Sequence, residues 1–149
     1  MTGNGNSLSR YLLIAAAIGV LGLIVTLTLV GHPVGNYIGD LLMVAALVVA
    51  YFMGRDARSA GKRPGWMGGL VGLVSAGIMG LGYFFVHYTA ADFKTVTAKS
   101  PLSPSTMAAL ANSSAARIGE WFTVAVVVAV LAIIVGSIGG RKKSQDQAV

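Results

Sequence analysis

The sequence contains no cysteine and has few charged residues. Without cysteine the chain has no thiol nucleophile, no disulfide and no cysteine-ligated metal. Charged residues occupy 11% of its 149 positions, whereas soluble domains average about 25%. Since 55% of the residues are hydrophobic, a water-soluble globule of this composition would expose large apolar patches. These shortages exclude an ordinary soluble enzyme, a disordered chain and a disulfide-stapled secreted domain.

The apolar residues are concentrated in long runs, and a membrane-spanning helix needs roughly 20 of them. We predict an all-α fold, a polytopic membrane protein with a bundle of four transmembrane helices within residues 11–139. The predicted spans are Tyr11–Val30, Asn36–Met53, Trp66–His87 and Ile118–Gly139. Residues 1–10 and 140–149 are predicted to be polar tails, and 89–117 a long outer loop.

Two prolines mark predicted helix starts. Pro64 ends the loop between the second and third spans and suits the first position of a helix. In the long loop, Ser103 and Pro104 have the residue types of an N-cap and a first helical position. This pair predicts a short amphipathic helix across the outer mouth of the bundle.

The basic residues are distributed unevenly between the two sides of the predicted membrane. Eight of the 11 lie on one side, and the positive-inside bias then predicts a multi-pass protein of the plasma (inner) membrane with both termini cytoplasmic. Besides Arg10, seven of them are expected to contact anionic lipid headgroups, namely Arg55, Arg58, Lys62, Arg63, Arg141, Lys142 and Lys143. No basic–aromatic module accompanies these charges, so we expect no nucleic-acid partner.

Small residues recur every four positions along the third span. In lipid such a stripe allows two helix backbones to approach closely. The predicted helix-packing residues are Gly68, Gly72, Ala76 and Gly80. The fourth span carries a comparable face at Ala125, Ala129, Ala132 and Gly136. The stripe either packs within the chain or forms the interface of a homo-oligomer or larger membrane complex. Gly82 lies off the stripe and is expected to tolerate a larger side chain.

Acidic residues occur in the spans only at Asp40 and Glu120, each in the predicted first turn of a helix. The helix dipole favours negative charge there, so both could simply be residues of solvent-exposed helix ends. Alternatively, Asp40, His87 and Glu120 form an outer polar cluster, joined by His32 and Asp92, which shares a proton or holds a cation. No metal-ligand spacing is present, and we expect no metal site.

The middle of every predicted span lacks Asp, Glu, Lys, Arg and His. A proton-coupled exporter or ion pump normally needs an ionisable group at that depth. We therefore expect no catalytic residue and no cofactor.

A weak internal duplication is also visible. Ile38-Gly39-Asp40 opens the second span and Ile118-Gly119-Glu120 opens the fourth. If the match is not chance, two hairpins form a parallel repeat.

Several short motifs from the second span onward match a known layout. They include Ile38-Gly39 followed by Met43 and Ala45, Gly54-Arg55-Asp56, Tyr83 to Tyr88, Ala91-Asp92-Phe93, Glu120 and Arg141-Lys142-Lys143. In these motifs the chain resembles a bacterial four-pass membrane family of unknown function, domain of unknown function 4199. The resemblance implies topology only and supplies no catalytic residue.

Together these observations lead us to expect a non-enzymatic integral membrane protein, a scaffold or accessory subunit that packs through its glycine-rich third helix. The alternative is a small oligomeric channel or transporter whose outer vestibule includes Asp40, His87 and Glu120.

Overall fold

The computed structural model describes residues 5–29, 33–94 and 101–142, and within these ranges the chain is helical and has no strand. The helices are α1 (Gly5–Thr28), α2 (Pro33–Ser59), α3 (Pro64–Gly80), α4 (Gly82–Phe85), α5 (Pro104–Ala111) and α6 (Ser114–Lys142), with a 3-10 turn at Ala90–Phe93. The predicted all-α bundle is confirmed.

Four segments of the described chain are long and apolar enough to cross a membrane, in agreement with the predicted number of spans. They are Leu8–Thr28, Val34–Ser59, Pro64–Phe85 and Ser114–Arg141. The helices extend beyond the apolar runs, because polar residues continue the backbone hydrogen-bond ladder where hydropathy has already fallen. Thus α1 begins at Gly5, inside the predicted 1–10 tail, and α6 begins inside the predicted 89–117 loop.

The third span is interrupted near its end. The Leu81 amide donates to the Ile78 carbonyl at 3.2 Å, three residues back, and the helix resumes as α4. At the same level, the Trp121 indole N–H of α6 donates to the Gly77 carbonyl at 3.0 Å. Backbone groups within a membrane have no water to bind. The indole therefore supplies a hydrogen-bond donor for a carbonyl at the point where the helical backbone hydrogen-bond pattern is interrupted.

Both predicted proline helix starts are confirmed. α3 begins at Pro64, and α5 begins at Pro104, where the Ser103 hydroxyl accepts from the Thr106 amide at 3.2 Å. A proline fits the first helical position because its missing N–H would have no partner in the helix.

The α2–α3 connection is a Schellman turn. The Lys62 amide donates to the Ala57 carbonyl at 2.9 Å, and the Gly61 amide donates to the Arg58 carbonyl at 3.0 Å. Gly61 has a φ of 69°, in the left-handed region. This geometry satisfies carbonyls at the end of α2 and reverses the chain within a few residues.

We expect Gly61→Ala to destabilise the protein, because a left-handed conformation costs an L-residue about 1–2 kcal/mol. Nothing lies within 4 Å of a Cβ at Gly61, so the loss comes from the backbone alone. Thermal unfolding in detergent measures it. Gly39→Ala is the matched control, since Gly39 is helical and its Cβ position is also open. Equal midpoints for the two variants would contradict this interpretation.

The four long helices form a bundle in which α2 and α3 are central. α3 packs against α1, α2 and, most extensively, α6, and α2 also contacts all three other long helices. In a parallel repeat of two hairpins, α1 would correspond to α3 and α2 would correspond to α6. The contact between α2 and α3 would then have an equivalent between α6 and α1. Over the described residues, α2 and α3 pack closely whereas α6 and α1 have no comparable contact. The packing therefore does not show the two-fold relation of a parallel repeat.

Three helix backbones meet at one end of the bundle, which we call the basic end because the Arg58–Arg63 connection and Arg141 lie there. A Cβ at Gly136 of α6 would lie 3.0 Å from the Gly68 Cα and 2.9 Å from the Pro64 carbonyl oxygen. A Cβ at Gly54 of α2 would lie 2.6 Å from the Gly136 Cα. Only glycine allows such an approach, and we call Gly54, Gly68 and Gly136 the glycine junction.

Candidate functional site

The predicted stripe on α3 lies against α6 within the chain. A Cβ at Gly72 would lie 2.7 Å from the Ala132 Cβ and 3.0 Å from the Ala129 Cα. One at Gly80 would lie 2.7 Å from the Trp121 Cδ1, and the remaining member, Ala76, is 2% exposed. Since these contacts are intramolecular, the stripe does not offer a free surface to another protein.

A second face of α3 packs against α1, which the sequence did not indicate. A Cβ at Gly19 would lie 2.8 Å from the Ile78 Cβ, and one at Gly82 would lie 2.9 Å from the Thr26 Cβ. The expectation that Gly82 tolerates a larger side chain is therefore wrong, because this residue is buried against α1. The error arose because α3 and the following α4, which contains Gly82, also pack against α1, whereas the small-residue stripe marks only the face toward α6.

A cavity of about 400 Å³ opens at the end opposite the basic end, between α1, α2 and the chain that follows α3. None of its described lining residues is a histidine, lysine or arginine. They are Val25, Thr26, Leu29, Gly35, Asn36, Gly39, Asp40, Met43, Met79, Tyr83, Val86, Tyr88, Asp92 and Phe93. The lining is acidic and aromatic, which favours a cation over an anion.

The predicted polar cluster is only partly gathered at this cavity. Asp40, His87 and Glu120 are all exposed, and of the three only Asp40 lines the cavity. Burial raises the pKa of the Tyr88 hydroxyl, and the negative charge of Glu120 raises it further. Among the described residues, no three His, Cys, Asp or Glu side chains lie close enough together to hold a metal ion. His32 lies outside the described residues.

Asp92 lines the cavity from the 3-10 turn. Its Oδ2 accepts from the Thr89 amide at 2.7 Å and from the Thr89 hydroxyl at 2.8 Å. These hydrogen bonds hold the pKa of the Asp92 carboxyl below its usual value. The T-x-x-D spacing is a capping-box pattern and could have identified the turn from sequence. Asp92 therefore carries a negative charge at neutral pH and fixes the turn that forms one wall.

Arg117, near the start of α6, holds the segment that follows α3, which includes the cavity residues Val86 and Tyr88. Its Nη1 donates to the Phe84 carbonyl at 2.8 Å, and its Nη2 donates to the Val86 carbonyl at 2.9 Å and to Asn112 Oδ1 at 3.0 Å. Asn112 in turn donates to the Tyr88 carbonyl at 2.7 Å and accepts from the Tyr88 amide at 3.0 Å. We call Arg117 and Asn112 the clamp. Its partners are 24 to 33 residues away, beyond the reach of any local sequence signal.

A second polar contact ties α1 to α2 at the basic end. The Tyr11 hydroxyl donates to Asp56 Oδ2 at 2.6 Å, and Arg55 Nε lies 3.3 Å from Asp56 Oδ1. The Arg55 guanidinium also lies 5.1 Å from the centre of the Phe52 ring. These contacts give structural roles to Arg55 and Asp56, which belong to the Gly54-Arg55-Asp56 motif.

We expect the double variant Asp40→Asn, Glu120→Gln to fold and to keep its assembly size. The prediction that Asp40 and Glu120 each lie in the first turn of a helix is wrong, because α2 begins at Pro33 and α6 at Ser114, and neither first turn contains an acidic residue. Both side chains are exposed, and substitutions at exposed positions usually change stability by less than about 0.5 kcal/mol. Expression level and size-exclusion elution in one detergent measure the outcome. If the double variant failed to accumulate, the two carboxylates would be essential to the fold, contrary to their exposed positions.

Comparison with known proteins gives no match: no family model, no curated protein and no solved structure matches the chain. The resemblance to domain of unknown function 4199 stays a prediction that depends on short motifs.

Proposed function

We propose that the chain is a non-enzymatic integral membrane protein that serves as a scaffold or accessory subunit of a membrane complex. The observation that carries this proposal is the filled centre of the bundle. Its largest fully buried side chains are Met53, Val71 and Ser75. Among the described residues Ser75 is the one buried polar side chain, and its hydroxyl donates to the Val71 carbonyl of its own helix at 2.9 Å. A core of this kind supports a role in packing and assembly.

The α3 stripe is used inside the chain, so a partner would contact the outward faces of the helices. On α2, exposed apolar residues recur at helical spacing along one face: Tyr37, Leu41, Val44, Val48 and Phe52. Lipid or a partner subunit covers a face of this kind equally well, and a partner would replace lipid there.

Purification of the full chain in a mild detergent, followed by native mass spectrometry, tests the proposal. We expect the chain to co-purify with a different protein in fixed stoichiometry and to lose it in a harsher detergent. A ring of identical copies would support the alternative function below, and a lone monomer in every mild detergent would overturn the accessory-subunit proposal.

The alternative is a small oligomeric channel or transporter, and the cavity that Asp40 lines favours it. Cation flux into liposomes, compared between wild type, Asp40→Asn and Glu120→Gln, tests this alternative. Both variants lose one exposed carboxylate, but only Asp40 lines the cavity. A vestibule predicts that Asp40→Asn lowers the flux and Glu120→Gln does not. Equal flux in all three proteins, or none, would count against it.

We further propose that the basic end faces the cytoplasm of a plasma membrane and contacts anionic lipids there. Arg10, Arg58, Lys62, Arg63 and Arg141 are exposed at this end, where they can reach lipid headgroups. The side chains of Lys142 and Lys143 lie outside the described residues.

Reporter fusions are expected to report opposite accessibility at residue 149 and within residues 95–105. A third fusion in the α2–α3 connection should agree with the one at residue 149. The physical reason is the positive-inside bias of short loops. Matching signals from all three positions would contradict the proposed topology.

A further inference from the structure

A shallow groove of about 120 Å³ lies on the outward surface between α3 and α6. It is lined by Trp66, Gly69, Leu70, Leu73, Ala129 and Ile133. Gly69 contributes no side chain, and a Cβ there would lie 2.6 Å from the Ile133 Cγ1. Trp66 is 67% exposed and Leu73 is 50% exposed. The eight residues from Trp66 to Leu73 span roughly 10 Å of helix, so the groove is an elongated apolar surface parallel to α3.

The groove begins at the basic end, beside two exposed arginines. Arg63 immediately precedes α3, three residues before Trp66, and its side chain makes no capping hydrogen bond. Arg141 lies near the end of α6, and a Cβ at the adjacent Gly140 would lie 2.6 Å from the Pro64 Cγ. Both arginines therefore lie near the start of α3, Arg63 just before it and Arg141 on α6, and both are exposed.

We propose that this groove binds an anionic phospholipid, whose headgroup contacts Arg63 and Arg141 and whose acyl chain lies along Trp66 and Leu73. Charge complementarity selects the headgroup, since guanidinium groups pair well with phosphate. An exposed tryptophan at this depth is typical of the membrane interface, and Ile133, which packs closely against Gly69, adds apolar surface to the groove. This inference rests on the proposed contact of the basic end with anionic lipids and names one site within that end, whereas it does not depend on the accessory-subunit proposal.

Trp66 itself reports occupancy, because bromine on a lipid chain quenches indole fluorescence at short range. The chain has two tryptophans, and subtracting the signal of Trp66→Phe from that of wild type isolates Trp66. The protein is reconstituted in phosphatidylcholine vesicles that contain a fixed minor fraction of brominated phosphatidylglycerol or, separately, brominated phosphatidylcholine. We expect the phosphatidylglycerol to quench Trp66 at least about fivefold more effectively, because each of the two arginines supplies a ratio of this size.

Two double variants separate a specific site from diffuse attraction. Arg63→Gln with Arg141→Gln should equalise quenching by the two brominated lipids. Arg10→Gln with Arg58→Gln removes the same charge from exposed positions of α1 and α2 at the same end, and it should leave the preference unchanged. Circular dichroism confirms folding, and added salt should weaken the wild-type preference through screening.

Several outcomes would overturn the proposal. Equal quenching of wild-type Trp66 by both lipids would show that the groove has no preference for an anionic phospholipid. An equal loss of preference in the two double variants would show that the preference arises from the surface potential of the whole basic end and not from a specific site. Should Arg63→Gln with Arg141→Gln fail to fold, a salt-insensitive wild-type preference would contradict the role of the arginines.

Discussion

Gly136→Leu is expected to destabilise the bundle strongly, because a side chain at this position would meet the backbones of two neighbouring helices. A side chain at this position meets the Gly68 Cα, the Pro64 carbonyl and, at 3.4 Å, the Ala50 carbonyl. Overpacking typically costs about 1–3 kcal/mol, and here the obstacle is backbone from two helices rather than a side chain that can rotate. We therefore expect a loss at or above the upper end of that range, measured by denaturant or thermal unfolding in one detergent.

Gly119→Leu is the matched control, because Gly119 also lies in α6 and a Cβ there meets nothing within 4 Å. Its stability should stay within about 0.5 kcal/mol of wild type. Gly82 cannot serve as this control, since it is buried against Thr26. If Gly119→Leu proved as damaging as Gly136→Leu, steric exclusion at the glycine junction would not explain either result.

Arg117→Met should also produce a large loss of stability. It removes the donors for the carbonyls of Phe84 and Val86 and for Asn112 Oδ1. A hydrogen bond to a charged group contributes about 1.5–3 kcal/mol, and water at this end of the bundle replaces part of what is lost. We expect a destabilisation of about 2–4 kcal/mol, with faster hydrogen exchange of the Tyr88 amide.

Arg117→Lys tests whether geometry or charge is responsible. Lysine keeps the positive charge but has a single ammonium in place of a planar fork, so it cannot bridge two carbonyls in the same way. We expect the lysine variant to lose nearly as much stability as Arg117→Met. Wild-type stability and exchange in the lysine variant would show that only the charge matters and would contradict the clamp.

The helices themselves were predictable, because hydropathy and helix-start chemistry are local properties. Pro64 and the Ser103-Pro104 pair start helices where predicted. Which face of each helix points inward was less predictable. In water, burial separates apolar from polar residues, whereas lipid accepts apolar side chains as readily as a protein core does. Leu41 is 68% exposed and Met53 is fully buried on the same helix, and no polarity difference distinguishes them.

The candidate site was likewise predictable from the sequence only in part. The sequence placed Asp40 at the correct end of α2, and it lines the cavity there. It grouped His87 and Glu120 with Asp40 by membrane depth alone, although neither lines the cavity. The clamp was not predictable, because in the sequence Arg117 is only one of the three basic residues on the side opposite the other eight. In the structure its guanidinium donates to the carbonyls of Phe84, within α4, and Val86, just after α4, so its role on that side of the bundle is structural.

The glycine junction and the cavity lie at opposite ends of one bundle. At the junction, three backbones touch with no side chain between them, whereas at the other end the helices leave a space of about 400 Å³. A larger side chain therefore has opposite consequences at the two ends. At each glycine of the junction a Cβ would meet backbone, whereas at Gly39, which lines the cavity, it would meet nothing within 4 Å. Evolutionary or engineered changes of residue size are thus far more restricted at one end of this bundle than beside the cavity at the other.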